Sequence, residues 1–184
     1  MPAVASPVVD VYPYRVHPEG PLPSFGRRGV PSGTLAFPEG NLRFLLLRRA
    51  AGRVYAGQWR MVGGKVEGQE RAWEAALREL REETGLSPRR LWALPSVNTF
   101  YDPTRDAVVL APAFAAEVEA DPTLDAEHDV FAWLTPEAAI ERLAWPERRR
   151  LLAMASDLLH SGAVPPELEI GGAAAVRSPG APLP

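Results

Sequence analysis

No cysteine occurs among the 184 residues, which removes disulfides, thiolate metal sites and cysteine nucleophiles together and fits a reducing, cytoplasmic setting. Histidine is scarce: His17, His128 and His160 complete the list, too few donors for structural zinc. Lysine appears once, at Lys65, and arginine carries the remaining basic charge. The net charge of −3 supplies no basic field to draw the chain to nucleic acid or to an anionic membrane. Long apolar runs are missing too. The N-terminal MPAVASPVVDVYPYRV has no basic n-region and is broken early by Pro7 and Asp10, so neither a signal peptide nor a membrane span is expected.

What is present suits one globular domain, since 46% of the chain is hydrophobic and its length allows one sizeable core. That domain is expected over residues 1–160. Residues 17–40, rich in Pro and Gly, read as a loop insertion, and residues 161–184 as a flexible Pro/Gly/Ala tail. VVDVYPYRV (Val8 to Val16) reads as a strand, with Pro13 suggesting an edge or a bulge. LRFLLLRR (Leu42 to Arg49) reads as a strand covered on both faces, because its apolar run is almost continuous. QWRMV follows as a short strand and GGKVEGQ as a loop. LWALPSVNTFYD and AVVLAPAFAAEVE then form an antiparallel pair turned at DPTRD, and HDVFAWL makes the last strand. Thr135 N-caps a helix with Pro136 at its first position, and PERRRLLAMASDLLHSG closes the domain as a helix ending near Gly162.

Between these strands lies the segment that carries the chemistry. Glu70 to Thr84 has helical periodicity, with Trp73, Ala76, Leu77, Leu80 and Thr84 in one apolar stripe and Gly85 as a left-handed cap. Glu79, Glu82 and Glu83 fall within an arc of roughly 100° on the polar side. Pairs such as Arg78 with Glu82 and Arg71 with Glu74 suit an ordinary solvated face. Three acids on one patch nevertheless repel each other, and a hard cation with oxygen ligands, Mg²⁺ or Mn²⁺, would relieve that repulsion.

Read upstream from the acids, GKVEGQERAWEAALRELREETGL (Gly64 to Leu86) resembles the Nudix box: Gly, five residues, Glu, seven residues, then REUxEExGU, with every specified position satisfied. A chance match is on the order of 10⁻⁷. The resemblance implies an α/β fold of Nudix type, an α/β/α sandwich around a mixed sheet, in a divalent-cation-dependent pyrophosphohydrolase. Such an enzyme cleaves a phosphoanhydride of a nucleoside triphosphate-like substrate, a dNTP or a pterin triphosphate, to monophosphate and pyrophosphate. Alternatives within the resemblance are a dinucleoside polyphosphate or ADP-ribose pyrophosphatase, and a non-catalytic nucleotide-sensing domain, although sensing domains typically lose a box acid. The expected partner is a nucleotide-like diphosphate, with no nucleic acid or membrane; a homodimer stays open.

Carried over residue by residue, the resemblance makes Glu79, Glu82 and Glu83 metal ligands, with the Gly64 carbonyl as a further oxygen. Arg78 orients the glutamates, Glu70 pins the loop to the helix and Gly85 ends it. Gln69 departs from the pattern, which often has Gly there; here Gly68 comes one position earlier. Arg49 either contacts phosphate or ends its strand as a solvated charge. Lys65 places loop charge near phosphate. Glu127 resembles a further metal ligand or water-activating acid and is preferred to His128. RRR at Arg148 to Arg150 reads as surface charge. Phe100 and Tyr101 offer rings for stacking on a base or as strand core; Tyr101 is the candidate, while Trp59 and Met61 read as packing residues.

Overall fold

The computed structural model describes residues 3–16, 41–162 and 164–171. The expected insertion at 17–40 and the tail from 172 onward lie outside the described residues.

Side-chain alternation along the strands decides the layers. In β2 (Val8–Val16), Val9 and Val11 enter one core while Tyr12 and Tyr14 enter another; in β3 (Leu42–Arg49), Leu45 and Leu47 oppose Leu42, Phe44 and Leu46. One core lies under α1 (Ala72–Thr84), and the other under α2 (Pro136–Arg142) and α3 (Pro146–Ser161). The chain is thus an α/β/α sandwich, and the almost unbroken apolar run of β3 is explained by cover on both faces.

Among the described residues, eight strands form the mixed sheet. β6 (Arg90–Asp102) and β7 (Ala107–Glu117) make the expected antiparallel hairpin, and β8 (His128–Leu134) pairs antiparallel with β3. A three-residue β1 (Ala3–Ala5), too short to leave a pattern, runs parallel to β7. β2 is central rather than an edge: β7 lies parallel on one side, and on the other β5 (Val62–Lys65) pairs with Val8 to Val11 and β3 with Tyr14 to Val16. Pro13 is tolerated because its missing N–H falls between those two ladders, where the sheet forks. Into the fork go β4 (Trp59–Arg60), paired with β3, and β5, paired with β2.

GGK, expected as loop, is therefore strand. A Cβ on Gly63 would stand 2.6 Å from the Val9 carbonyl oxygen, so the glycine is what lets β5 come this close to β2. The tail also begins with structure. Pro166–Leu168 form a 3-10 turn, Arg90 donates to Glu169 at 3.0 Å, and the Ile170 N–H donates to the Leu91 carbonyl at 2.8 Å. Two apolar residues, Val164 and Ile170, with one ion pair and one strand-like hydrogen bond, hold it, too little to register as periodicity.

Candidate functional site

α1 starts at Ala72 behind Arg71, whose N–H donates to Glu74 at 2.7 Å, and stops at Gly85, left-handed at φ 69°. The loop feeding it turns at Gly68, φ 53°, which supplies the backbone freedom that Gln69 cannot. Docking of α1 differs from the expected stripe. Ala75, Ala76, Leu80, Glu83 and Thr84 are buried, while Trp73 and Leu77 are only partly covered. The three acids consequently do not share one solvent face: Glu82 is exposed, Glu79 nearly covered, and Glu83 lies inside the packed face. The glycines of β5 make the room.

Gly64 is the tightest contact. A Cβ there would lie 2.1 Å from the Glu79 carboxyl carbon, so the carboxylate rests directly on the glycine backbone. The Gly63 N–H points to Glu83 at 3.4 Å, and its carbonyl accepts from Arg60 at 2.9 Å. Burial pushes the Glu83 carboxyl up to about 8, against the lowering pull of Arg60, with Glu79 and Asp125 adding repulsion. Burial raises Glu79 as well, opposed by Arg78. Arg60 and Asp125 went unread in the sequence; an Arg alternating with Trp59 and Met61 in a short strand was the available signal.

Arg78 is the hub. Its guanidinium donates to Glu70 at 2.8 Å, to Glu79 and Glu82 at 3.0 Å each, and to the Lys65 carbonyl at 2.7 Å. Glu70 also accepts from the Glu67 N–H at 2.7 Å, and with Arg78 beside it is held below the usual carboxylate range. One planar cation thus joins the loop, the end of β5 and two acids. Arg71 and Glu74, read as a charge pair, instead meet through the Arg71 backbone.

A second group adjoins the first through Asp125, whose N–H points to the Glu83 carbonyl at 3.4 Å. Asp125 accepts from the Glu127 N–H at 3.0 Å and pairs with His128 Nδ1 at 2.9 Å. Arg49 and Glu127, singled out separately in the sequence, are ion-paired, and Arg49 holds Glu127 below its ordinary value. His128 is buried, its pKa lowered by desolvation, and its Nε2 has no hydrogen-bond partner among the described residues. The Lys65 side chain is exposed. Tyr101 is not gathered in: it pairs across the hairpin with Val108, and its hydroxyl donates to Asp106 at 2.9 Å. The RRR run is not one basic face either. Arg148 turns inward to the buried Asp10 at 3.3 Å, Arg149 donates to the Leu143 carbonyl, and Arg150 pairs with Glu147.

As arranged, among the described residues no three acids converge in ligand geometry, since Arg78 holds Glu79 and Glu82 and Gly63 holds Glu83. The donor chemistry still suits a hard divalent cation: carboxylate oxygens beside a backbone carbonyl, with no sulfur. Among the described residues no helix is long and apolar enough to cross a membrane.

Residues 31–155 match the NUDIX domain pattern. The nucleoside triphosphatase NudI of Klebsiella pneumoniae is 36% identical over 104 residues, which are 51% of this chain and 74% of that protein. An octanoyltransferase of Myxococcus xanthus is 36% identical over 126 residues, 62% of this chain, and the match spans only 32% of that relative's length. Among solved structures, a NUDIX hydrolase of Listeria monocytogenes superposes with a TM-score of 0.63 at 24% identity, covering 84% of this chain and 94% of that one, a likeness of fold.

Proposed function

Because the chain belongs to the NUDIX family, we propose that its box residues hydrolyse a phosphoanhydride of a nucleoside triphosphate-like substrate, releasing monophosphate and pyrophosphate. The similarity to NudI, a nucleoside triphosphatase, supports that substrate class. The observation that carries the reading is the Arg78 hub, which ties loop, strand end and two box acids into one hydrogen-bonded cluster.

The residues divide the work. Glu79, Glu82 and Glu83, with the Gly64 carbonyl, would hold a divalent cation, Mg²⁺ in preference to Mn²⁺. When bound, that ion neutralises the diphosphate and makes phosphorus electrophilic. Arg78 positions Glu79 and Glu82, and Glu70 anchors Arg78. Arg49 and Lys65 bring positive charge toward the phosphates. Glu127, kept ionised by Arg49, receives a proton from the attacking water. The new bond is water oxygen to phosphorus; the bond broken is phosphorus to the bridging oxygen, which leaves with its electron pair on pyrophosphate.

Glu82→Gln tests this directly. The exposed acid contributes little to packing, so the variant should keep its melting temperature while cation-dependent pyrophosphate release falls by at least about 100-fold. Undiminished release from that variant would remove the assignment.

A further inference from the structure

The segment between β7 and β8 does more than connect two strands. A helix leaves its last carbonyls without internal partners, and at α1 two of them are met from outside. The Thr123 N–H donates to the Thr84 carbonyl at 2.8 Å, and the Asp125 N–H points to that of Glu83 at 3.4 Å. Leu124, between them, packs into the core under α1. The segment is thereby fastened to the helix end that carries Glu83.

The Asp125 side chain fastens it to β8. Oδ1 accepts the Glu127 N–H at 3.0 Å and meets His128 Nδ1 at 2.9 Å. A carboxylate only accepts, so Nδ1 carries the proton of that bond and the ring donates it. A plain Asx turn needs the first bond alone. Here the second comes from a side chain with no exposed surface, which fixes the Asp125 rotamer from inside the protein. Just beyond, the ladder of β3 with β8 slips by one residue: Arg48 lies opposite Val130, but Arg49 opposite His128. Bulges re-aim side chains, and this one lies where Glu127 turns to Arg49 while its carbonyl accepts from Ala50 at 2.8 Å.

We propose that Asp125 is a positioning residue for the hydrolysis. Its backbone is tied to Glu83 and its carboxylate to the Glu127 N–H, with His128 as a buried post, so it sets where the Glu127 carboxylate stands relative to the box. Asp125 itself exchanges no proton with water or substrate. The inference rests on the proposed role of Glu127 and names what orients that carboxylate.

Pyrophosphate release from the four dNTPs with millimolar Mg²⁺ tests it. Asp125→Ala should lower kcat about tenfold and leave KM within about twofold; Asp125→Asn, which keeps an acceptor oxygen, should recover most of the loss. Glu127→Gln should lower kcat by at least about 100-fold. Adding Asp125→Ala to Glu127→Gln should then cost nothing more, because a residue that acts through another has no effect once the other is gone. His128→Leu refills the buried volume and removes the second donor; it should lower kcat about threefold by the same route, and it decides should Asp125→Ala fail to fold. Wild-type kcat in these variants, or losses that multiply with that of Glu127→Gln, overturns the positioning role and leaves the Glu127 assignment standing. Wild-type kcat in Glu127→Gln removes that assignment and this inference with it.

Discussion

Two neighbouring glycines show how unequal residues of one type can be. A Cβ on Gly63 would stand 2.6 Å from the Val9 carbonyl oxygen, which belongs to the central strand and cannot retreat. A Cβ on Gly64 would meet only the end of the Glu79 side chain, which can swing away. Gly63→Ala should therefore lower stability by roughly 2 kcal/mol or more, whereas Gly64→Ala should fold nearly as well and lose at least about tenfold in kcat/KM. Denaturant unfolding and steady-state kinetics on both variants would separate the effects. Equal unfolding midpoints for the two would contradict this account of the fork.

Among the elements, the C-terminal strap is one whose contribution truncation can measure without cutting into the sheet. Its 3-10 turn, the Arg90–Glu169 pair and the Ile170 hydrogen bond to Leu91 pack on β6. Ending the chain after Gly162 should lower stability by about 1–2 kcal/mol with little change in kcat. Thermal unfolding of the shortened chain checks it; an unchanged midpoint would mean the strap contributes nothing.

The strap was also among the elements hardest to read. Helical periodicity exposed α1, and alternation bounded by turn residues exposed the β6–β7 hairpin, because both bury a regular face. β1 is three residues long and the strap offers one isoleucine, so neither repeats often enough to form a pattern. The box acids and Arg78 were legible because their spacing is specific. Arg60, Asp125 and the inward turn of Arg148 were not, since each owes its position to strands or helices distant in sequence. Glu83 was misjudged for a related reason: helix spacing shows which residues share a face, and only the packing of Gly63 against β2 shows which face is covered.

For the molecule as a whole, Glu83 links protonation to stability, and through them to the cation binding proposed for it. Its folded pKa, about 8, stands above the ordinary 4.5, so the metal-free folded state holds a proton that the unfolded chain releases. Stability from this group is full below about 4.5 and declines as pH rises to about 8. Buried His128 acts oppositely: its lowered pKa makes stability fall as pH drops below its ordinary 6.5. Above about 6.5 the His128 trend has ended, and the decline up to about 8 belongs to the buried carboxyls, Glu83 foremost, with Glu79 raised in the same direction. In that window the metal-free chain should melt lower with each increment of pH, Glu83→Gln should flatten the slope, and millimolar Mg²⁺ should raise the melting point most at the alkaline end. Scanning calorimetry across the window measures all three; a Glu83→Gln slope equal to wild type would break the link.

Pro13 sits in the middle of the sheet at the one stretch where β2 lacks a partner on its fork side. Sliding β2 toward β3 or β5 would carry a donorless ring into a ladder that needs a donor, and a one-residue slip would also exchange Val9 and Val11 with the tyrosines. The proline thus works as a detent: it leaves the central strand one seat, and with it the height at which Gly63 and Gly64 meet the acids.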